Sequence, residues 1–267
     1  MSVKVCLAGA TGWAGSSLAA AIHAAEDMEL VGAVSRSRAG LSLGEALNIA
    51  DLGLIVSGSV EKALATTCDV FVEYTKPDAA RDHILQALEA GANVVVGTSG
   101  LTDEDYAEID GIAQSAGRGV LAVGNFALTV VLLQKFAEIA AAHIPHWEII
   151  DYAHSGKIDA PSGTVRELSH RLGRIRASTL DVPIAETRGE RAARGARLNG
   201  SQVHAIRLPG HVIGAEVIFG MPDQKLVIRH EAGASSQPYV DGALLAIRKV
   251  GTFSGLKRGL DSVMDFK

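Results

Sequence analysis

Two rhythms of apolar residues divide the chain. Up to about residue 126, short, mostly apolar runs alternate with helical spacings. Residues 3–8 form such a run, glycines follow, and Leu18, Ala19 and Ile22 then recur as on one helix face. Further runs at 29–34, 68–75, 93–96 and 119–124 predict strands, and Ile84, Leu85 and Leu88 predict a helix reaching Gly91. Strands alternating with helices predict a Rossmann-like, doubly wound parallel sheet, an α/β fold with ligand loops at the strand ends. A helix over 128–142 precedes the second rhythm. Residues 147–152 read as a strand, and Val165, Leu168 and Leu172 as a helix face ending at Gly173. Strand-like runs at 203–208, 214–219 and 225–230 follow with no helix between them, which predicts an α+β second domain on an open mixed sheet. A last helix is expected over 239–250.

The first strand-to-helix turn carries chemistry. Gly9, Gly12 and Gly15 form Gly-x-x-Gly-x-x-Gly, where glycines permit a tight turn and a close backbone approach to a pyrophosphate at a helix N-terminus. Gly9, Thr11, Gly12, Trp13 and Ala14 are therefore candidate cofactor contacts; a plain β–α turn is the alternative. The second strand ends in Ser35-Arg36-Ser37-Arg38, where an acidic residue would favour NAD. Guanidinium and hydroxyl groups suit a 2′-phosphate, so Arg36 and Ser37 are assigned to NADPH, with NADH admissible. A solvated basic loop is the alternative here.

The densest chemistry lies in Asp151-Tyr-Ala-His-Ser-Gly-Lys-Ile-Asp-Ala-Pro-Ser-Gly-Thr164, a loop between a strand and a helix. Pro161 and Ser162 mark the helix start, so the amides of Ser162, Gly163 and Thr164 are expected to project free N–H groups toward a carboxylate or phosphate. Lys157 adds a charged donor, and His154 a group that titrates near neutrality. The bland alternative is an ordinary capped connection with a solvated lysine.

Lys157-Ile-Asp-Ala-Pro-Ser-Gly-Thr164 closely resembles the signature of the 4-hydroxy-tetrahydrodipicolinate reductase (dihydrodipicolinate reductase) family. That resemblance implies an NAD(P)H-dependent reductase of lysine and diaminopimelate biosynthesis, acting on a small dicarboxylate cyclic imine in the cytoplasm as a homotetramer. It also implies nucleotide and nicotinamide contacts at Thr75, at Gly97, Thr98 and Ser99, and at Val123, Asn125 and Phe126. In the substrate loop it implies catalytic roles for Lys157 and His154, with His154, Ser162, Gly163 and Thr164 binding substrate. The family carries a histidine pair before its lysine, and the first of the two is Ala153 here. Lys157 is accordingly expected to be the principal catalytic cation. The last residues are expected to return to the first domain, giving 1–126 with 235–267 for the dinucleotide and 127–234 for substrate binding and oligomerisation, with two crossings that permit hinge closure. Arg194-Gly-Ala-Arg197 is a diverged echo of the family's Thr-Gly-Glu-Arg.

Composition narrows the alternatives. The 267 residues are 48% hydrophobic and 21% charged, as in a globular protein of one large or two modest domains, and no apolar run approaches a membrane span. A net charge of -5 lacks the basic footprint of a nucleic-acid binder. The start shows no leader pattern, which predicts a cytoplasmic protein. Cys6 and Cys68 lie in or beside apolar runs and read as buried thiols, which disfavours a semialdehyde dehydrogenase with its catalytic cysteine. His143, His146, His170, His211 and His230 have no neighbouring ligand at metal spacing, so no metal is predicted. Arg188, Arg191, Arg194 and Arg197, among glycines, are expected in a mobile solvated loop. Two rival functions stay open: a paralogue reducing another cyclic imine or keto acid, and a non-catalytic NADPH-binding protein.

Overall fold

The structure, a computed structural model, describes residues 2–266. Its contacts divide the chain into two compact units: residues up to Leu128 together with those from Ser236 on, and Thr129–Ser235.

In the first unit the order is β1 (Val3–Ala8), α1 (Trp13–Ala24), β2 (Met28–Val34), α2 (Leu43–Leu47), α3 (Val60–Leu64), β3 (Val70–Glu73), α4 (Pro77–Glu89), β4 (Asn93–Val96), α5 (Asp103–Ala116) and β5 (Gly119–Ala122). These strands form the predicted doubly wound sheet, in the order β5-β4-β3-β1-β2, every pair parallel. Buried on both faces, the strands need unbroken apolar runs, and Val5, Cys6, Leu7 and Ala8 are all fully buried. Where β1 meets β3 and β2, the carboxyl ends align, because Ala8 pairs with both Glu73 and Val34. The loops that follow are thereby set side by side.

The second unit contains α6 (Leu128–His143), which starts at the boundary, then β6 (His146–Ala153), α7 (Gly163–Ile175), β7 (Ala196–Leu198), β8 (Ser201–Arg207), β9 (Ile213–Met221) and β10 (Gln224–Ala232). The chain then returns to the first unit with α8 (Val240–Val250) and β11 (Gly255–Arg258), which pairs in parallel with β5 as a sixth strand. The second sheet has the order β10-β9-β6-β8-β7 and is mixed, since β6 runs parallel to β8 and antiparallel to β9. Along β6, Trp147, Ile149, Asp151 and Ala153 are buried, and the first two pack with Leu133 and Ala137 of α6 and Val165, Leu168 and Leu172 of α7. The alternate residues, Glu148, Ile150 and Tyr152, face the other side and stay half-exposed.

Two expectations are corrected. Gly173 does not end α7, which runs two residues further; the glycine is there because a Cβ would lie 2.5 Å from the Asn199 carbonyl oxygen. The arginine run is only partly a solvated loop. Arg194 pairs with Glu148 at 2.9 Å, Arg197 donates to the Ser178 carbonyl at 2.9 Å, and Ala196–Leu198 joins the sheet as β7.

Candidate active site

The turn after β1 is shaped around missing side chains. Gly9 has φ +83°, and a Cβ there would lie 2.2 Å from the Tyr74 carbonyl oxygen; a Cβ on Gly15 would lie 2.0 Å from the Gly9 oxygen. The turn closes with Gly12 N donating to Gly9 O at 2.9 Å, and α1 begins at once. The amides of Trp13, Ala14 and Gly15 then find no acceptor among the described residues, which leaves three donors at the positive end of a helix. Thr11 is spent differently. Its hydroxyl lies 2.7 Å from that of Ser35, joining the turn to the loop after β2. Arg36 and Ser37 sit exposed in a 3-10 turn with Arg38, and neither guanidinium has a carboxylate partner among the described residues. The Trp13 ring, largely exposed, meets Tyr239 edge-on with centroids 5.7 Å apart.

At the ends of β3 and β4 a buried carboxylate organises the loops. Glu73 is fully buried and accepts from the Thr75 amide at 2.7 Å, from the Thr75 hydroxyl, from the Thr98 hydroxyl at 3.3 Å and from His83 Nδ1 at 2.8 Å. Gly97 lies under the Tyr74 and Phe126 rings, whose centroids are 5.5 Å apart. The Tyr74 hydroxyl is buried without a partner among the described residues, and burial pushes that phenol up. Val123 and Phe126 are buried, so either residue would meet a ligand chiefly through its backbone; Asn125 turns its oxygen to the Ala127 amide at 2.9 Å, and Ser99 is exposed. A glycine cradle, three unspent amides and two guanidiniums unpaired among the described residues fit a phosphorylated dinucleotide.

The second unit carries the loop between β6 and α7. Asp151, at an inward position of β6 and fully buried, accepts from Arg207 Nη2 at 2.6 Å and from the Ser162 amide at 2.7 Å. Arg207 also donates to the Asp159 carbonyl at 2.7 Å, so one guanidinium clamps both ends of the segment 151–159. The expectation of three free amides is thereby corrected. Ser162 is buried, its N–H is committed to Asp151 and its hydroxyl caps α7 by accepting from Val165 N; only the Gly163 and Thr164 amides lack an acceptor among the described residues. Ahead of them, Lys157 Nζ pairs with Asp159 Oδ1 at 2.7 Å, and the ammonium holds that carboxyl below the usual carboxylate range. His154 is exposed, its backbone in a turn whose oxygen accepts from Lys157 N at 3.1 Å. Ala153 is fully buried, and Ile158 between the two charged residues is fully exposed.

The structure thus brings Lys157, Asp159 and Ser162 into one loop braced by Asp151 of β6 and Arg207 of β8, and the dinucleotide candidates into adjoining loops of the first unit. Sequence reasoning missed Asp151 with Arg207 and Glu73 with His83. The available signal was an acid on an inward strand position or at the end of an apolar run, which calls for a buried partner.

Models of the two halves of one family match the chain: dihydrodipicolinate reductase, N-terminus, over residues 3–126, and dihydrodipicolinate reductase, C-terminus, over 129–264. A 4-hydroxy-tetrahydrodipicolinate reductase of Desulfitobacterium hafniense is 36% identical over 265 residues, covering 98% of this chain and 99% of the relative. One from Thermosynechococcus vestitus is 35% identical, covering 98% and 97%. Among solved structures, dipicolinate-bound dihydrodipicolinate reductase from Paenisporosarcina sp. TG-14 superposes with a TM-score of 0.90 at 31% identity, covering 99% of this chain and 100% of that one.

Proposed function

The chain belongs to the dihydrodipicolinate reductase family, and from that premise we infer that it is an NAD(P)H-dependent reductase converting dehydrated 4-hydroxy-tetrahydrodipicolinate to tetrahydrodipicolinate in lysine and diaminopimelate biosynthesis. The observation that carries this reading is the braced loop of β6 and α7, in which Lys157 precedes two unspent amides within a chain matched to the family over both halves. When bound, the reduced nicotinamide supplies the hydride.

The residues of this chain do the rest. The turn at Gly9, with the amides of Trp13 and Ala14, holds the pyrophosphate, and Arg36, Ser37 and Arg38 hold the 2′-phosphate. Thr75, Gly97, Thr98, Ser99, Val123, Asn125 and Phe126 line the path toward the nicotinamide. The Gly163 and Thr164 amides receive one substrate carboxylate. Lys157 exchanges Asp159 for the substrate, so its charge is neutralised in the resting loop and redirected on binding. A reduced imine or enamine must also gain a proton; Lys157 supplies it directly or through water, and His154 orients or neutralises the substrate. With Ala153 in place of an imidazole, the lysine carries more of that work. Arg207 and Asp151 act by holding the loop. The planar dicarboxylate dipicolinate, bound in the Paenisporosarcina structure, is the direct probe: calorimetry should show it binding, and Gly163→Val should weaken it about tenfold or more while leaving NADPH affinity unchanged, since a Cβ at Gly163 meets only Arg166, at 3.8 Å. An equal loss of NADPH affinity would place the loop in the cofactor site instead.

A homotetramer in the cytoplasm completes the reading. It is supported by the family and by the second sheet's half-exposed face, on which Ile150, Ile206, Ile218 and Val227 lie among the ion-paired Glu148, His204, Glu216 and Arg229. Such a mixed aliphatic and charged surface suits a self-complementary contact with other copies.

A further inference from the structure

The Glu73 carboxylate accepts four hydrogen bonds, and all of its partners belong to the loops after β3 and β4 or to α4. An ionised carboxylate only accepts. The Thr75 hydroxyl, bonded to Glu73 Oε1 beside the Thr75 amide, must therefore direct its proton inward. His83 Nδ1 occupies the other carboxylate oxygen at 2.8 Å, and at 3.5 Å from the Thr75 hydroxyl it is too distant to claim that oxygen. Thr98, buried, spends its hydroxyl on the same residue, on both Glu73 O and Oε1 at 3.3 Å. What remains outward is a lone pair on Thr75, which is only half-buried.

The sheet order says what this lone pair meets. From β2, with Arg36 and Arg38 at its end, the order runs through β1 with the glycine turn to β3 and β4. A dinucleotide whose 2′-phosphate lies at the β2 end and whose pyrophosphate lies at β1 must extend its other half over β3 and β4. We propose that Glu73 is a positioning residue that fixes the Thr75 hydroxyl as an obligate acceptor, so that the subsite beside it takes a hydrogen-bond donor of the nicotinamide half, a carboxamide N–H or a ribose hydroxyl, and discriminates against groups that only accept. This rests on the dinucleotide reading of the first unit.

The test measures binding to the full-length protein by calorimetry, with NADPH, its 3-acetylpyridine analogue, in which a methyl ketone replaces the carboxamide, and an analogue lacking the 2′-hydroxyl of the nicotinamide ribose. One analogue should bind about three- to tenfold more weakly than NADPH, and which one identifies the donor. Thr75→Val should erase that difference by weakening NADPH alone, and Thr75→Ser should keep it. Glu73→Gln, which keeps an acceptor oxygen for Thr75 while its amide faces His83 in the other tautomer, should also keep it; Glu73→Leu, which frees the hydroxyl proton, should lose it. Thr75→Val, at a half-exposed position, supplies the answer even where Glu73→Leu does not fold. If NADPH binds but neither analogue is disfavoured, or if the difference survives Thr75→Val, the assignment of Glu73 is overturned while the dinucleotide reading stands. If NADPH does not bind at all, both fall.

Discussion

Ser162 shows how a residue can be placed correctly and understood wrongly. The string Pro161-Ser162-Gly163 announces a helix start, and the cap is there. What the string does not announce is Asp151, eleven residues earlier, taking the Ser162 amide away from any ligand. The same limit applies to Arg207, whose charge in a strand-like run gives no hint of a clamp on Asp151 and Asp159. Local rules reached the cradle and the lysine because helix starts and cation placement are properties of consecutive residues; the braces join residues 11 to 56 apart in the chain. The basic loop after β2 was legible for the same local reason, and it makes a prediction at this scale. Among the described residues Arg36 and Arg38 have no carboxylate to leave, so NADPH should bind more tightly than NADH by about tenfold or more per guanidinium engaged, a charge-assisted bond being worth roughly 1.5–3 kcal/mol. Titration of both cofactors into wild type and Arg36→Ala/Arg38→Ala checks it: the double variant should lose NADPH affinity and keep NADH affinity. Equal affinities in wild type would remove the 2′-phosphate site.

Elements were legible in proportion to how much of each was buried. The central strands β1, β3, β4 and β5 are mainly apolar and almost wholly buried, broken only at their ends or next to them by Lys4, Glu73 and Asn93, and the chain gives them away. β11 escaped because it lies at an edge: only Gly255 is buried and Leu256 half-buried, while Lys257 and Arg258 reach outward over Phe253 and Tyr106. β7 escaped for the same reason, being three residues at the edge of the second sheet. Between α6 and β10 lies a pair that makes its own prediction. His230 on β10 is buried against the Thr129 hydroxyl at 3.0 Å, and burial lowers its pKa, only partly opposed by the Glu231 carboxylate. Between that lowered value and the unfolded value of about 6.5, the unfolded chain binds more protons than the folded one, so stability rises with pH across this interval and is lost as pH falls through it. Urea unfolding at a series of pH values should show a shallower fall below about pH 6.5 in His230→Gln than in wild type. Identical slopes would mean that the neutral imidazole is not favoured by folding.

For the whole molecule, the alternation of rhythms fixed the type of both sheets, because a parallel doubly wound sheet and a mixed open sheet bury their strands differently. It did not say how many copies assemble. The proposed tetramer, with the half-exposed face around Ile150 and Val227 as a contact between copies, should appear in sedimentation at micromolar concentration; Val227→Lys should shift it toward smaller species, and a wild-type monomer would contradict it. The central claim is that the chain catalyses reduction of the lysine-pathway intermediate with Lys157 at the centre, despite Ala153. The most direct measurement is single-turnover oxidation of NADPH by the full-length protein presented with enzymatically generated 4-hydroxy-tetrahydrodipicolinate, in wild type and in Lys157→Ala. The account predicts stoichiometric NADPH oxidation with tetrahydrodipicolinate as product, slowed at least about 10²-fold in Lys157→Ala, as expected for loss of a general acid. Tight NADPH binding with no oxidation in wild type, or an undiminished rate in Lys157→Ala, would contradict it.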